Sequence, residues 1–268
     1  MKEIIGRPST VVSTGSTYEN RRNLTPIYYQ EVIEPLEGTE LAAQEIHARL
    51  LDEAKDAYWT RKVLEDTRIP AADNLEAKIQ ALEELDIEID RVAVAIDPAT
   101  TTKETSNETG ILAGAVGRKR SEKFSRGFCL GDVSGRYSPA RWAQTAIAFG
   151  EDLERLTGLE AVYVYETNQG GDMVKQTLTG EKPFLTLRDV HASRSKQARA
   201  QPVSQKQEKG VIHLVGLYVD LEDQLCTWIP EPGSESPDRL DAYVWLFTYL
   251  MIGPKQVTRP TLPRLMRG

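Results

Sequence analysis

The chain has 268 residues, 40% of them hydrophobic, enough to bury a substantial core. Its net charge of −7 excludes a protein that coats nucleic acid through bulk electrostatics. No apolar stretch reaches the length of a membrane helix and the polar start MKEIIGRPST lacks the core of a signal peptide, so a cytoplasmic chain without a membrane partner is expected. Cys129 and Cys226 form no Cys-x-x-Cys pair, and with only three histidines the composition argues against a disulfide framework or a zinc site. Both are expected as buried free thiols.

Residues 1–60 read as a lead-in: a short apolar piece, the polar segment STGSTYENRRNL, then a helical stretch from Pro26 through Leu51 with apolar residues near helical spacing. Residues 61–90 are acidic and helix-prone, interrupted by Pro70, a composition that suits a linker or a docking helix. From Arg91 the pattern changes to strands. RVAVAID, TGILAGAVG and GFCLGDVSG are apolar runs with short polar or glycine-bearing connections, which predicts three meandering antiparallel strands. SPARWAQTAIAFGEDLERL then reads as an amphipathic helix, with Ser138 as cap, Pro139 at its first position and Trp142, Ile147 and Leu153 on its apolar side. Strand LEAVYVYE, helix GGDMVKQTL, strand FLTLRDV, a basic helical stretch, the short apolar run VIHLVG and a final helix DRLDAYVWLFTYLMIG complete the order. The tail GPKQVTRPTLPRLMRG is basic and proline-bearing, consistent with disorder or with docking.

Carboxylates stand at the ends of these elements. Asp97 ends RVAVAID and Glu166 ends AVYVYE, where backbone pairing stops and a side chain can face a cleft. Asp238 and Asp241 open the last helix, three residues apart and so on one helical face. Hard divalent cations take oxygen ligands, and converging acids of this number can hold two ions such as Mg2+. Asp238 can equally complement the helix N-terminus, Asp132 can serve as an alternative ligand, orient Arg136 or cap its turn, and Asp172 suits a helix dipole. Basic residues cluster at Arg118, Lys119, Arg120, Lys123 and Arg126, in a hairpin tip that either touches DNA or is a solvated turn. A second cluster includes Arg188, Arg194, Lys196 and Arg199, after the strand expected to neighbour the acids.

The order β-β-β-α-β-α-β-α, with an acid ending the first and fourth strands and a third on the last helix, resembles the ribonuclease H-like fold, an α/β class with a mixed sheet flanked by helices. GSTYENRRNL, EGTELAAQE, AIDPATT continuing into SNETGI, ETNQGGDMV, SRSKQARAQPV, LEDQL and SPDRLDAYVW, in that order, are similar to the C-terminal nuclease region of the large terminase subunits of tailed bacteriophages. No Gly-x-x-x-x-Gly-Lys-Ser/Thr phosphate loop occurs, so the resemblance covers the nuclease half and a connecting segment rather than the packaging ATPase. It implies a lead-in over 1–60, a linker over 61–90, a nuclease domain over 91–252 and a flexible tail over 253–268.

Carried onto this sequence, the resemblance implies that Asp97, Glu166, Asp241 and Asp238 bind two Mg2+ or Mn2+ ions, with Asp97 bridging them. It implies in-line hydrolysis of a DNA phosphodiester during genome packaging in a bacterial host's cytoplasm, with Lys196, Arg194, Arg199 and Arg188 on the DNA. Double-stranded DNA, the terminase ATPase region, the small terminase subunit and the portal are the implied partners. Two other readings stay open. IDPATTT faintly resembles the phosphate turn of sugar kinases and actin-like ATPases. A DNA- or portal-docking module without cutting activity is the other.

Overall fold

The computed structural model describes residues 24–28, 53–98, 108–167, 171–192, 195–231 and 236–253. Beyond a helical turn at Pro26–Tyr28, the elements are α1 (Arg61–Asp66), α2 (Leu75–Glu84), β1 (Ile87–Asp97), β2 (Gly110–Lys119), β3 (Arg126–Asp132), α3 (Pro139–Thr157), β4 (Ala161–Glu166), α4 (Gly171–Glu181), β5 (Thr186–Val190), α5 (Lys196–Glu208), β6 (Ile212–Leu214), α6 (Val219–Thr227) and α7 (Asp238–Phe247). The rest of the lead-in and the tail beyond Gly253 lie outside the described residues.

The six strands form one sheet in the order β5-β4-β1-β2-β3-β6. β1, β2 and β3 are an antiparallel meander; β4 joins β1 in parallel, β5 joins β4 in parallel, and β6 adds to β3 in parallel. This is the mixed sheet of the ribonuclease H-like fold, extended by one short strand. Both faces of β1 to β4 are covered over most of their length, which is why they read as apolar runs rather than alternating ones, whereas the edge strand β5 stays largely exposed. Val92, Val94 and Ile96 face α2, α3 and α4, where Leu82, Trp142 and Val174 are buried. Ala93 and Ala95 point the other way, toward α5, α6 and α7, with Val203, Leu225 and Leu246. Each such burial contributes about 1.5–3 kcal/mol for the larger side chains.

Local signals hold where the sequence predicts them. α3 starts with Pro139 at its first position after Ser138, which stands at the N-cap but makes no side-chain cap bond, and it stops at Gly158, whose φ of 70° is the left-handed conformation that glycine adopts without penalty. Its Trp142, Ile147 and Leu153 are buried. Both cysteines are free and buried, and burial pushes their thiols up from the ordinary value.

The segment 61–90 differs from its reading as a linker. Leu64 of α1 and Leu82 of α2 are fully buried, Ile69 bridges Val215 beside β6, and β1 begins at Ile87. Arg68 makes two hydrogen bonds to Glu222 of α6, at 2.7 and 2.8 Å. The acids that made this segment look solvated line its outer face, while a few spaced apolar residues anchor it. α6 is a further element that the sequence order omitted.

The sheet face that receives α7 is paved with glycine. Gly110, opposite Asp97 at the start of β2, lies so close to α7 that a Cβ there would sit 2.2 Å from the carbonyl oxygen of Asp238. At Gly114 a Cβ would meet Leu246 at 3.0 Å. Helix α7 therefore rests on the strand backbones themselves. Replacing Gly110 by alanine is expected to lift its first turn and destabilise the protein by about 1–3 kcal/mol, the usual cost of overpacking, read as a lower denaturation midpoint.

Candidate active site

The strand register brings two of the acids together. Ile96 of β1 pairs with Tyr165 of β4, so Asp97 and Glu166 are the next residues along adjacent parallel strands, about 5 Å apart between backbones. Asp97 continues the Ala93–Ala95 side and Glu166 the Val164 side, both of which face α5 and α7. Above them lies the first turn of α7. Its N-cap is Pro237, which makes no side-chain cap bond, and Asp238 and Asp241 both fall in that turn. Asp241 is buried, and its Oδ2 accepts hydrogen bonds from Lys196 Nζ at 2.9 Å and from the Ser236 hydroxyl.

Electrostatics report the convergence of all four acids. Burial raises the proton affinity of the Asp97 carboxyl well above the ordinary range, and the charges of Asp241, Asp238 and Glu166 raise it further, while Lys196 opposes them. Asp97 is thus the point where the four carboxylates crowd one another.

Two basic residues of α5, one turn apart, offset that charge. Lys196, the first residue of the helix, pairs with Asp241, and Arg199 lies 3.8 Å from Glu166. The Arg199 guanidinium is buried, stacks over Trp245 at 4.3 Å, and finds no hydrogen-bond partner for Nε and Nη1 among the described residues. Trp245 Nε1 donates to Glu166 Oε2 at 3.1 Å. Among the described residues, no three carboxylate, imidazole or thiol groups stand close enough to grip an ion in this arrangement. The donor set nevertheless fits a hard divalent cation in kind: it is all oxygen and carries surplus negative charge that weighs on Asp97.

The other residues singled out by sequence fall elsewhere. Arg188 is exposed on β5, in register with Val164, and Arg194 lies outside the described residues. Asp132 ends β3, two strands from β1 and so about 10 Å away. Its carboxylate takes Arg239 Nε at 3.0 Å and the Ser134 N–H at 2.9 Å, which makes it an anchor for α7. Arg239 also pairs with Glu108 and approaches Asp220 at 3.6 Å, so one guanidinium ties the start of β2, the end of β3 and α6 to the helix that carries the acids. The basic hairpin tip after β2 lies at the far end of β1, roughly 30 Å from Asp97. Sequence reasoning missed Ser236, Arg239 and Trp245. Trp245 was accessible in principle, since it follows Asp241 by four residues on the same helical face.

No protein-family model matches the chain, and none of the curated proteins does. Among solved structures, the chain is similar to the large terminase nuclease from thermophilic phage G20c with bound cobalt, at 11% identity and a TM-score of 0.46, covering 73% of this chain and 98% of that one. It is similar to the human cytomegalovirus terminase nuclease domain, manganese-soaked and inhibitor-bound, at 14% identity and a TM-score of 0.40, covering 71% and 94%. Thermus thermophilus RuvC in complex with a Holliday junction substrate follows at 14% identity and a TM-score of 0.28, covering 59% and 92%. At these identities and TM-scores the likenesses carry no chemistry by themselves. Among the described residues no helix is long and apolar enough to cross a membrane.

The raised proton affinity of Asp97 has a definite sign. A carboxyl that binds its proton more tightly folded than unfolded destabilises the fold once ionised, and the penalty grows as pH rises from the unfolded value of 3.8 to the raised folded one. Asp97→Asn is therefore expected to raise stability at neutral pH in EDTA, read as a higher denaturation midpoint than that of the wild type. Added Mn2+ is expected to raise the melting temperature of the wild type but not of the variant.

Proposed function

We propose that this chain is a metal-dependent endodeoxyribonuclease, the nuclease part of a large terminase that cuts concatemeric viral DNA during packaging. The observation that supports the proposal is the setting of Asp97 at one end of the sheet, where its burial first, and then the charges of Asp241, Asp238 and Glu166, make its ionised form unfavourable. A fold gains nothing from that arrangement, whereas a site for Mg2+ or Mn2+ requires it.

In this reading Asp97, Glu166 and Asp241 would hold the ions, with Asp238 contributing from the half-buried start of α7. The ions supply acidification of an attacking water and charge stabilisation of the leaving 3′ oxygen. The protein's own part is orientation. Ser236 fixes Asp241 and Trp245 with Arg199 fixes Glu166, so neither acid has to be ordered when substrate arrives. Lys196, half-exposed beside Asp241, and Arg188 on the neighbouring edge strand provide positive charge for the DNA backbone, with Arg194 between them in sequence. Contacts of that kind bind phosphate without reading bases, so cutting with little sequence preference is expected. The packaging setting adds double-stranded DNA, the terminase ATPase region, the small subunit and the portal as partners, in the cytoplasm of a bacterial host.

Supercoiled plasmid incubated with Mn2+ or Mg2+ tests the proposal. Relaxation and linearisation are expected with either metal, reduced to the level of the EDTA control in Asp97→Ala and Asp241→Asn. Asp132→Asn, by contrast, is expected to keep cutting while losing about 1–3 kcal/mol of stability through its bond to Arg239. Absence of metal-dependent cutting by the folded wild type would favour a docking module, and equal loss of cutting in Asp132→Asn would move Asp132 into the ligand set.

A further inference from the structure

We propose that Lys196 is an exchangeable counter-cation: its ammonium neutralises Asp241 while divalent ions are absent and competes with them for that carboxylate. The inference rests on the reading of the four acids as an ion site and adds a regulatory element to it.

The two cations of α5 are built differently. Arg199 is 9% exposed and sandwiched against Trp245, so it stays where it is and positions Glu166. The Lys196 side chain is 42% exposed although its partner Asp241 is only 8% exposed. One end of the pair is therefore open to solvent. Lys196 sits on a four-carbon stem at the first residue of a helix whose backbone is held independently, because Ser195 Oγ accepts the Ala198 N–H at 3.3 Å. Its side chain can swing out without unwinding anything.

A lysine in this place does nothing for the helix. The first turn of α5 contains no acid, and a cation at a helix N-terminus opposes the macrodipole. What balances that cost is Asp241. The ammonium reaches the same oxygen, Oδ2, that takes the Ser236 hydroxyl, so a divalent ion ligated through that oxygen must displace Lys196. The displaced ammonium is left at the open side of the cluster, where a DNA phosphate would arrive. Ion entry and the unmasking of a phosphate contact then become a single event, and the price is a weaker apparent affinity for metal in the absence of DNA.

Calorimetric titration of the whole chain with Mn2+ alone, without DNA, tests this. Lys196→Gln is expected to bind Mn2+ severalfold more tightly than the wild type. Lys196→Arg, which keeps the charge, is expected to stay near the wild-type affinity. Lys209→Gln removes a charge just past the other end of the same helix, roughly 20 Å away, and is expected to change nothing. Unchanged or weaker binding in Lys196→Gln would overturn the exchange while leaving the ion site standing, and equal tightening in Lys209→Gln would reduce it to a general charge effect. If neither the wild type nor Lys196→Gln binds Mn2+, the ion-site reading itself fails, and this inference with it.

Discussion

Helix α7 lies directly on the backbones of β1 and β2, and the rest of the site depends on that contact. A side chain at Gly110 would collide with the carbonyl of Asp238, so the first turn of α7 comes down onto the end of β1 only because glycine stands there. The consequence is a short path between a strand-end acid and two acids of a helix distant in sequence. Burial of the rest of α7, including Tyr243, Leu246 and Phe247, holds the helix down against the mutual repulsion of the carboxylates. Arg239 adds a directional restraint, joining the same turn to Asp132 and Glu108 at the edges of neighbouring strands.

Crowded acids need compensation, and the fold provides it from one helix. α5 sets a lysine and an arginine one turn apart, so that each meets a different carboxylate, Asp241 and Glu166. Trp245 serves both sides: its ring faces the Arg199 guanidinium and its N–H holds Glu166. Stacking on an aromatic face suits a guanidinium with few hydrogen-bond partners better than it would an ammonium. Arg199 and Lys196 thus divide the work between a fixed charge and a solvent-facing one.

Much of this was legible in the chain. The acids at the ends of RVAVAID and AVYVYE stand out because a strand covered on both faces is apolar throughout, so the first charged residue marks where the cover ends. Helix α3 was legible from its proline start and apolar spacing. The segment 61–90 misled because composition averages over both sides of a helix. A few buried apolar residues, Leu64 in α1 and Ile79 and Leu82 in α2, are enough to dock these helices, and most of their acids face away. Asp132 kept several readings, Arg136 among its expected partners, because its actual partner, Arg239, is far away in sequence and no local pattern links them.

Sequence by itself determined most of the elements and their order, α6 apart, and which acids and bases were available, because backbone propensity and apolar periodicity are local properties. It also determined that Asp238 and Asp241 share a helical face. Tertiary structure decided that those two meet Asp97 and Glu166, that Asp132 belongs to Arg239, and that the basic hairpin lies at the opposite end of the sheet from the acids. It decided as well that Lys196 and Arg199, alike in charge and one turn apart, differ in their freedom to move. These are matters of long-range packing and burial, where the energy of a charge depends on what surrounds it rather than on its neighbours in the chain.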